Sequence, residues 1–391
     1  MHIKVDPALL KEAVNKLRHV HKIPSLDINY VVYCLKAENN KLEIIVSDIE
    51  TISIKVSIAA EVIEEGYVNI NGTNFQKVIT KFHGALGKEK KNKTETVDLL
   101  LDGNQLYLNT KTLYSIGQKI NNTRDFTLVD FDLSNEANQL SEQELLFLDA
   151  NNLKEMLFMA SSIIDPKNSD YIELSGVSFK ISNKILHIAG CDGPRLIECK
   201  TEVDTNEEVD VILPKVFCNT IYSCVTEGDK AGMAFSDRAI RFELYKPELN
   251  IIIIASLIYG QYPDFDAFFD TNGKTIRINT ELFYDNIVNI TDLLGDDSFK
   301  LLLEIKNNKM NLRGVSSSTK RIKNEGLKVR SDFKGNLSVI INSFSLKSIL
   351  SFIKEKQTSL IISDSTKPII ITPITEDKKE FNFRGLISAV N

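Results

Sequence analysis

At 391 residues, with 43% apolar and 26% charged side chains, the chain has room for two to four domains and an ordinary composition for burying a core in each. A formal charge of −6 excludes a protein that coats nucleic acid by bulk electrostatics, but not one with a local basic surface. Five cysteines, Cys34, Cys191, Cys199, Cys218 and Cys224, are odd in number and irregularly spaced, so they fit neither a disulfide framework nor a CxxC zinc pattern and predict reduced thiols in the cytoplasm.

The N-terminal "MHIKVDPALLKEAVNKL" is charged throughout and has no apolar h-region, so it does not read as a secretory signal. Its Leu9, Leu10, Ala13, Val14 and Leu17 recur at helical spacing behind Asp6 and Pro7, which predicts a first helix. "YVVYCLKAENNKLEIIVSDIETISIKVSI" (30–58) alternates and breaks at "ENNK", as antiparallel strands do. A second helix is expected at Phe75, Val78, Ile79 and Phe82 after Asn71 and Thr73, followed by strands in "TVDLLLDGNQLYLNT". A third begins after Asp149 with Leu153, Met156, Leu157 and Ala160, and a meander broken at "SNK" follows. Pro214 precedes the fourth, Phe217, Ile221 and Cys224, with strands in "KAGMAFSDRAIRFELY" behind it. The longest aliphatic run, "IIIIA" at 251–255, is far too short to span a bilayer, so a soluble protein with no membrane partner is expected. The fifth helix is expected at Leu282, Phe283, Ile287 and Ile290 after Asn279 and Thr280, before a meander broken at "KNNK". The sixth, Leu346, Ile349, Leu350 and Ile353, follows Ser343 and Ser345 and leads to "TSLIISDSTKPIIITPI".

First apolar positions at 9, 75, 153, 217, 282 and 346 lie 66, 78, 64, 65 and 64 residues apart, and four near-equal intervals of five are an internal repeat. The extra length in the second interval has two places to go, the Lys-rich "GKEKKNKTET" at 87–96 and the polar "DLSNEANQLSEQE" near 132–144. The repeating unit is one helix plus about four antiparallel strands. Six units taken in pairs give an α+β chain of three repeated domains, 1–140, 145–267 and 270–391.

"HIAGCDGPRLIEC" (187–199) gathers a histidine, two cysteines, an aspartate and an arginine, and raises the question of catalysis. His187 and Cys191, four apart on a strand, share a face but sit about 13 Å apart at strand rise, too far for a nucleophile–base hydrogen bond. Gly193 and Pro194 suit a tight turn, Asp192 can bond the turn's amides, and Arg195 and Leu196 are left to present a stem and an apolar face. No Gly-rich phosphate loop, HExxH, nucleophile elbow or zinc spacing occurs, and of the carboxylate pair Asp264 and Asp266 one belongs to the "YPDF" turn. No catalytic residue, metal or cofactor is expected.

Beyond the repeat, six local stretches in chain order carry a resemblance. "SDIETISIKV" (47–56), "CDGPRL" (191–196), "LIYGQYPDF" (257–265), "INSFSLKSIL" (341–350), "SDSTKPIIITP" (363–373) and "LISAV" (386–390) are similar to segments of the bacterial sliding clamp, the beta subunit of DNA polymerase III. The third, like the family's "LIDGKFPDY", is the most specific, and the matches cover nearly the whole chain. The resemblance implies the DNA-clamp fold and a ring closed by a head-to-tail homodimer. It implies sequence-independent binding of double-stranded DNA, partnership with the DNA polymerase III catalytic subunit and a clamp loader, and no catalysis by the chain itself. A second reading is a phage- or plasmid-borne or regulatory paralogue with altered partner specificity.

By the same resemblance a partner-peptide groove would be walled by Leu174, Gly193, Pro194, Arg195, Leu196, Pro263, Phe268, Ser345, Ile387, Ala389 and Val390. Family partner peptides follow a Gln–Leu–x–Leu–Phe pattern. This chain departs from the family in Ser345 for an aromatic, Ala389 for a proline and Ala267 for a frequent base. The plain alternative is that these residues pack a domain boundary. DNA would be faced by Arg18, His19, Lys22, Lys77, Lys81, Lys167, Asn168 and Lys347, unless those are only solvated helix faces; the fifth helix, with Glu281, Asp285 and Asp292, lacks any base. The dimer contact would use Tyr114, Ile116, Ile287 and Ile290, with edge strands near 112–118 and 287–305, unless these are core residues.

Overall fold

The structure is a computed structural model that describes residues 1–17, 32–47, 51–86, 96–103, 105–109, 115–119, 140, 143–165, 171–246, 248–269, 272–294, 300–315, 321–331, 335–375 and 381–390. For 81–86, 115–119, 294, 315 and 321–325 it describes the backbone alone.

In chain order the elements are β1 (His2–Val5), α1 (Pro7–Leu17), β2 (Val32–Glu38), β3 (Lys41–Ser47), β4 (Ile52–Glu64), β5 (Gly66–Asn71), α2 (Gly72–Leu86), β6 (Val97–Asp102), β7 (Gln105–Asn109) and β8 (Ser115–Lys119). The middle of the chain gives β9 (Leu146–Asp149), α3 (Ala150–Ser162), β10 (Gly176–Ser182), β11 (Ile185–Cys191), β12 (Arg195–Glu202), β13 (Val209–Pro214), α4 (Lys215–Cys224), β14 (Lys230–Phe235), β15 (Ala239–Tyr245) and β16 (Leu249–Ser256). A single turn, α5 (Asp266–Phe269), precedes β17 (Lys274–Asn279), α6 (Thr280–Leu294), β18 (Lys300–Lys306), β19 (Lys309–Val315), β20 (Arg321–Lys328) and β21 (Arg330–Ser331). The chain finishes with β22 (Asn336–Asn342), α7 (Ser343–Leu350), β23 (Gln357–Ile362), β24 (Ile369–Ile374) and β25 (Asn382–Ile387).

All six periodic stripes are helices, and a side-chain oxygen starts five of them. Asp6 Oδ1 accepts from the Ala8 amide, Asn71 from Asn74, Asp149 from Asn152 and Asn279 from Leu282. In α7 the cap is Asn342, which accepts from the Ser345 amide at 3.1 Å, and not Ser343, whose hydroxyl is buried inside the helix start. Each cap satisfies an amide that the helix itself cannot, typically worth about 1 kcal/mol. Most of the described stripe residues are buried; Leu9 and Val78 are half-buried and Leu282 is exposed, so that α6 packs through Phe283, Ile287 and Ile290.

The turns expected at "ENNK", "SNK" and "KNNK" are two-residue hairpins with both central residues left-handed: Asn39 and Asn40 (φ 51 and 57), Asn183 and Lys184 (φ 52 and 61), Asn307 and Asn308 (φ 50 and 58). Such primed turns match the right-handed strand twist, and asparagine tolerates the conformation better than other side chains do.

Packing divides the chain into two compact units, Met1–Glu155 with Val216–Ile258, and Met156–Lys215 with Tyr259–Asn391. The first holds a 12-stranded sheet ordered β8-β7-β6-β1-β4-β16-β15-β14-β9, with β2, β3 and β5 branching from β4. The second holds a nine-stranded sheet, β13-β10-β11-β12-β25-β24-β23-β17-β21, and a four-stranded one, β20-β19-β18-β22. This grouping differs from the repeat because sheets run on between distant parts of the chain: β4 pairs with β16, Ile54 opposite Ile253, and β12 pairs with β25. The "IIIIA" run is therefore an interior strand. Leu140, in the polar stretch before β9, is buried against Ala234 and Ala239 of the β14–β15 hairpin.

Among the described residues β8 ends its sheet, as an edge at 112–118 requires. Of the helix and strand expected near 287–305, the strand is corrected as an edge: β18 is paired on both sides, with β19 and β22, and among the described residues that sheet ends at β20 and β22.

Lys184 is the one long side chain among the six left-handed turn residues. Lys184→Gly should raise stability by about 0.5–1 kcal/mol, because relief of a ~1–2 kcal/mol conformational cost is partly offset by glycine's greater freedom when unfolded. Urea denaturation should show a higher midpoint for Lys184→Gly and a lower one for Lys184→Val.

Candidate partner-binding surface

The second unit brings together most of the expected groove residues, and the β12–β25 ladder does it. Arg195 lies opposite Ile387, Leu196 opposite Leu386 and Glu198 opposite Arg384. With a period of two along each strand, Leu196, Glu198 and Lys200 share one sheet face with Leu386 and Arg384. On β11, Cys191, Ala189 and His187 are their partners in register. That face is apolar at one end and charged at the other.

At the apolar end, Ala189, Leu196, Ile370 and Leu386 form a buried cluster, with Cys191, Phe265, Phe269 and Ile361 packed against it. Leu196 is only 3% exposed. The aromatics that cover it are Phe265 and Phe269, four apart across α5; Phe268 points outward, 54% exposed, and Pro263 is also exposed. Sequence reading picked Phe268 as a wall and missed its neighbours, although the i, i+4 spacing in "FDAFF" carried the signal. Tyr262 stacks edge-on to Phe265, ring centroids 6.1 Å apart, and burial beside Cys191 pushes its phenol well above the usual range.

The turn from β11 to β12 is built by Gly193 in the left-handed region (φ 90) and by Asp192. Asp192 Oδ1 accepts from the Arg195 amide at 2.8 Å, and Oδ2 accepts from Arg195 Nε at 2.8 Å and Nη2 at 2.5 Å. Arg195 Nη2 also donates to the Ile163 carbonyl at 3.0 Å. Arg195 thus locks the turn to the end of α3 rather than presenting a free stem. After β25 the tail leaves the sheet: the Ser388 amide donates to Pro194 O at 2.8 Å, Ala389 bridges to Ile341, and the Val390 amide donates to Ile340 O at 2.8 Å. Val390 and Ala389 are half-buried, and Ile387 is fully buried in the ladder, so only its backbone belongs to a surface. Ser345, 6% exposed, sits in the first turn of α7, directly after β22. Leu174 is half-buried in a 3-10 turn at Ile172–Ser175, where the Cβ of Glu173 lies 3.4 Å from a Cβ built on Gly260. Tyr171, Ile172 and Tyr259, unremarked in the sequence, are exposed there.

At the charged end, Glu198 is buried at 1% exposure. Arg384 Nε donates to its Oε2, while Lys200 Nζ and His187 Nδ1 approach Oε1 at 2.9 and 3.5 Å, as ion-pair contacts without hydrogen-bond alignment. Asp266 of α5 accepts from Arg384 Nη2 at 2.7 Å and from Lys200 Nζ at 3.3 Å. The Arg384 guanidinium lies 3.8 Å from the Phe269 ring centre. Burial works to raise the Glu198 pKa, and the donors gathered on it, His187, Arg384 and Lys200, outweigh that and hold it down to about 2. His187 is thereby a partner of Glu198, and burial pushes the Cys191 thiol up, away from a reactive thiolate.

The other expected sites divide differently. Arg18, His19, Lys22, Lys167, Asn168 and Tyr114 lie outside the described residues, and Lys81 and Ile116 are described by backbone only. Lys77 is exposed on α2. Lys347 lies 3.2 Å from Asp292 across α6 and α7, and Lys16 donates to the Cys224 carbonyl at 2.8 Å. Ile287 and Ile290 are corrected as contact residues: both are buried in the core by the inward stripe of α6, whose exposed apolar residues are Leu282 and Leu293. Among the described residues no three His, Cys, Asp or Glu are placed to hold a metal, and no helix is long and apolar enough to cross a membrane.

Three repeated hairpins, paired helices and sheets continuous between distant parts of the chain define a clamp fold. Over its whole length the chain superposes on the DNA polymerase III subunit beta of Pseudomonas aeruginosa, with a TM-score of 0.82, 15% identity and 100% of both chains covered. The beta subunit from the DNA polymerase of Streptococcus pyogenes gives 0.82 at 18% identity, again with 100% of both chains covered. In sequence, residues 148–264 match the DNA polymerase III beta subunit, central domain. The beta sliding clamp of Chlamydia muridarum is 23% identical over 371 residues, 94% of this chain and 93% of that one. In sequence the chain is thus similar to bacterial beta sliding clamps, and in fold to the beta subunits of DNA polymerase III.

A carboxyl held below its ordinary value of 4.5 stabilises the fold fully above that pH and loses its contribution as pH falls through about 2. Between those limits stability should drop less steeply with acid in Glu198→Gln than in the wild type, which urea titrations at successive pH values measure.

Proposed function

We propose that this chain is a DNA sliding clamp: it encircles duplex DNA without reading sequence and tethers the DNA polymerase III catalytic subunit for processive synthesis. It is a processivity subunit and performs no catalysis of its own. The observation that carries the partner site is the in-register pairing of 195–200 with 382–387. It supports the reading by joining the "CDGPRL" turn to the terminal strand, while Phe265 of the "YPDF" segment packs on the cluster they share; the three separately resemble parts of one family site. Around that buried cluster the half-buried Phe265, Phe269, Ala389 and Val390 and the exposed Pro263 and Phe268 leave apolar surface for the Leu and Phe anchors of a peptide, about 1.5–3 kcal/mol per anchor before costs.

Three domains, 1–140, 145–267 and 270–391, two chains joined head to tail, and a cytoplasmic location with a clamp loader complete the reading. The β8 edge supports a sheet contact between copies, and on α6 the exposed Leu293 suits such a contact better than Ile290. Lys77 is the free base on a helix polar face that best suits a phosphate contact among those described.

In sedimentation the wild type should be a dimer at micromolar concentration, and Leu293→Asp should give folded monomer; a monomeric wild type sinks the ring. Loaded protein should remain on circular DNA and run off linear DNA across moderate salt. A loss of about 10³-fold between 50 and 200 mM salt would mark ordinary electrostatic binding instead.

Phe268→Asp, or removal of residues 388–391, should weaken a Gln–Leu–x–Leu–Phe peptide roughly 10- to 150-fold in fluorescence anisotropy. Cys191→Ser should leave it nearly unchanged. The opposite pattern would revive a reactive role for the 187–199 stretch.

A further inference from the structure

The charged end of the β12–β25 face does no work in the reading above, yet it is the more costly half to build. A carboxylate at 1% exposure requires partners, and here three elements supply them: β11 (His187), β12 (Lys200) and β25 (Arg384). Two of those partners, Lys200 and Arg384, reach past Glu198 to Asp266, which lies on α5.

That link matters because α5 has little else to hold it. It is four residues long, with no fully buried residue, and a single turn is not stable by itself. Within the segment, the Phe268 amide donates to Phe265 O and the Asp266 amide to Asp264 Oδ1, and both bonds are local. What fixes the turn on the sheet is Phe265 and Phe269 lying on the Leu196–Leu386 cluster, together with the two ion pairs at Asp266 and the Arg384 guanidinium stacked on Phe269. Arg384 therefore touches Glu198, Asp266 and Phe269 at once. Its position is set from below by the buried carboxylate directly opposite it in the ladder.

We propose that Glu198 is a positioning residue of the partner surface: through Arg384 and Lys200 it grips Asp266 and holds α5, with Phe265, Phe268 and Phe269, in place over Leu196 and Leu386. This rests on the reading of that surface as the peptide groove. Glu198 touches no peptide. It pre-orders a wall that the peptide would otherwise have to order on binding, and such ordering is taken from affinity.

The test uses the full chain and a labelled Gln–Leu–x–Leu–Phe peptide. Glu198→Gln, Arg384→Met and Asp266→Asn should each weaken binding by roughly tenfold, and Arg384→Met with Asp266→Asn should lose no more than the worse single change, as members of one unit do. Asp266 is an exposed carboxylate whose loss leaves the buried pair intact, so Asp266→Asn carries the test if Glu198→Gln does not fold. The chain has no tryptophan, so Phe268→Trp reports on α5 alone. In that reporter, adding Glu198→Gln should lower the fluorescence anisotropy and increase acrylamide quenching. A purely structural role would lower the melting temperature and leave both the reporter and the affinity of the folded protein as they were. That result, or peptide affinity within twofold of wild type in all three variants, overturns the proposal while the groove stands. A wild-type chain that binds no peptide overturns the groove reading and this proposal with it.

Discussion

Everything at the candidate surface hangs on one antiparallel ladder, Arg195–Lys200 against Asn382–Ile387. Because pairing is in register, it fixes two things together: Leu196 meets Leu386, and Glu198 meets Arg384. A slip of one residue would turn Leu196 and Glu198 to the opposite face and take both the apolar floor and the charged support away from α5. Beyond the ladder, the tail continues to Ile340 and Ile341 of β22, so this pairing also decides where a second sheet is joined. The approach beneath it is close. A Cβ on Gly190, the residue before Cys191, would lie 2.0 Å from the Ala160 carbonyl oxygen, so β11 meets α3 backbone to backbone and only glycine fits.

Local physics was legible in the sequence and long-range pairing was not. The helices announced themselves because an apolar stripe and an Asp or Asn cap occur together, as at Asp149 before Leu153. The hairpins were legible because left-handed turn positions select asparagine, as at Asn39 and Asn40. The reading failed where two signals of equal chemistry compete. Ser343 and Asn342 are both capping residues, and the backbone gave the role to the earlier one. Phe268 and Phe269 are adjacent in "DAFF", and only the seating of a four-residue turn decides which faces inward. Ile287 and Ile290 were assigned to a contact surface through resemblance, although their own spacing placed them on the buried stripe. The Glu198–Arg384 pair spans 186 residues and leaves no local pattern at all.

Ser345 and Ala267 differ from the sliding clamps that this chain resembles, and each sits in a definite setting. Ser345 is buried at 6% exposure in the first turn of α7, and the tail residues Ala389 and Val390 pair with Ile341 and Ile340 of the strand before it. Ala267 brings no charge to α5, and the cation beside this turn comes from β25 instead, where Arg384 is stacked on Phe269.

The same ladder sets a schedule for synthesis. β12 leaves the ribosome long before its partner strand, since the residues joined at Glu198 and Arg384 are 186 apart. At 5–20 residues per second the edge of β12 waits roughly 10–40 s with its amides and carbonyls unpaired. A bare strand with Leu196, Ile197 and Cys199 in sequence invites pairing with another nascent chain. Arg195, Glu198 and Lys200 interrupt that run with charges of both signs. The residues that organise the finished surface thus also act as gatekeepers while the strand is alone, and an apolar replacement of Glu198 would be felt first as lost yield of folded chain.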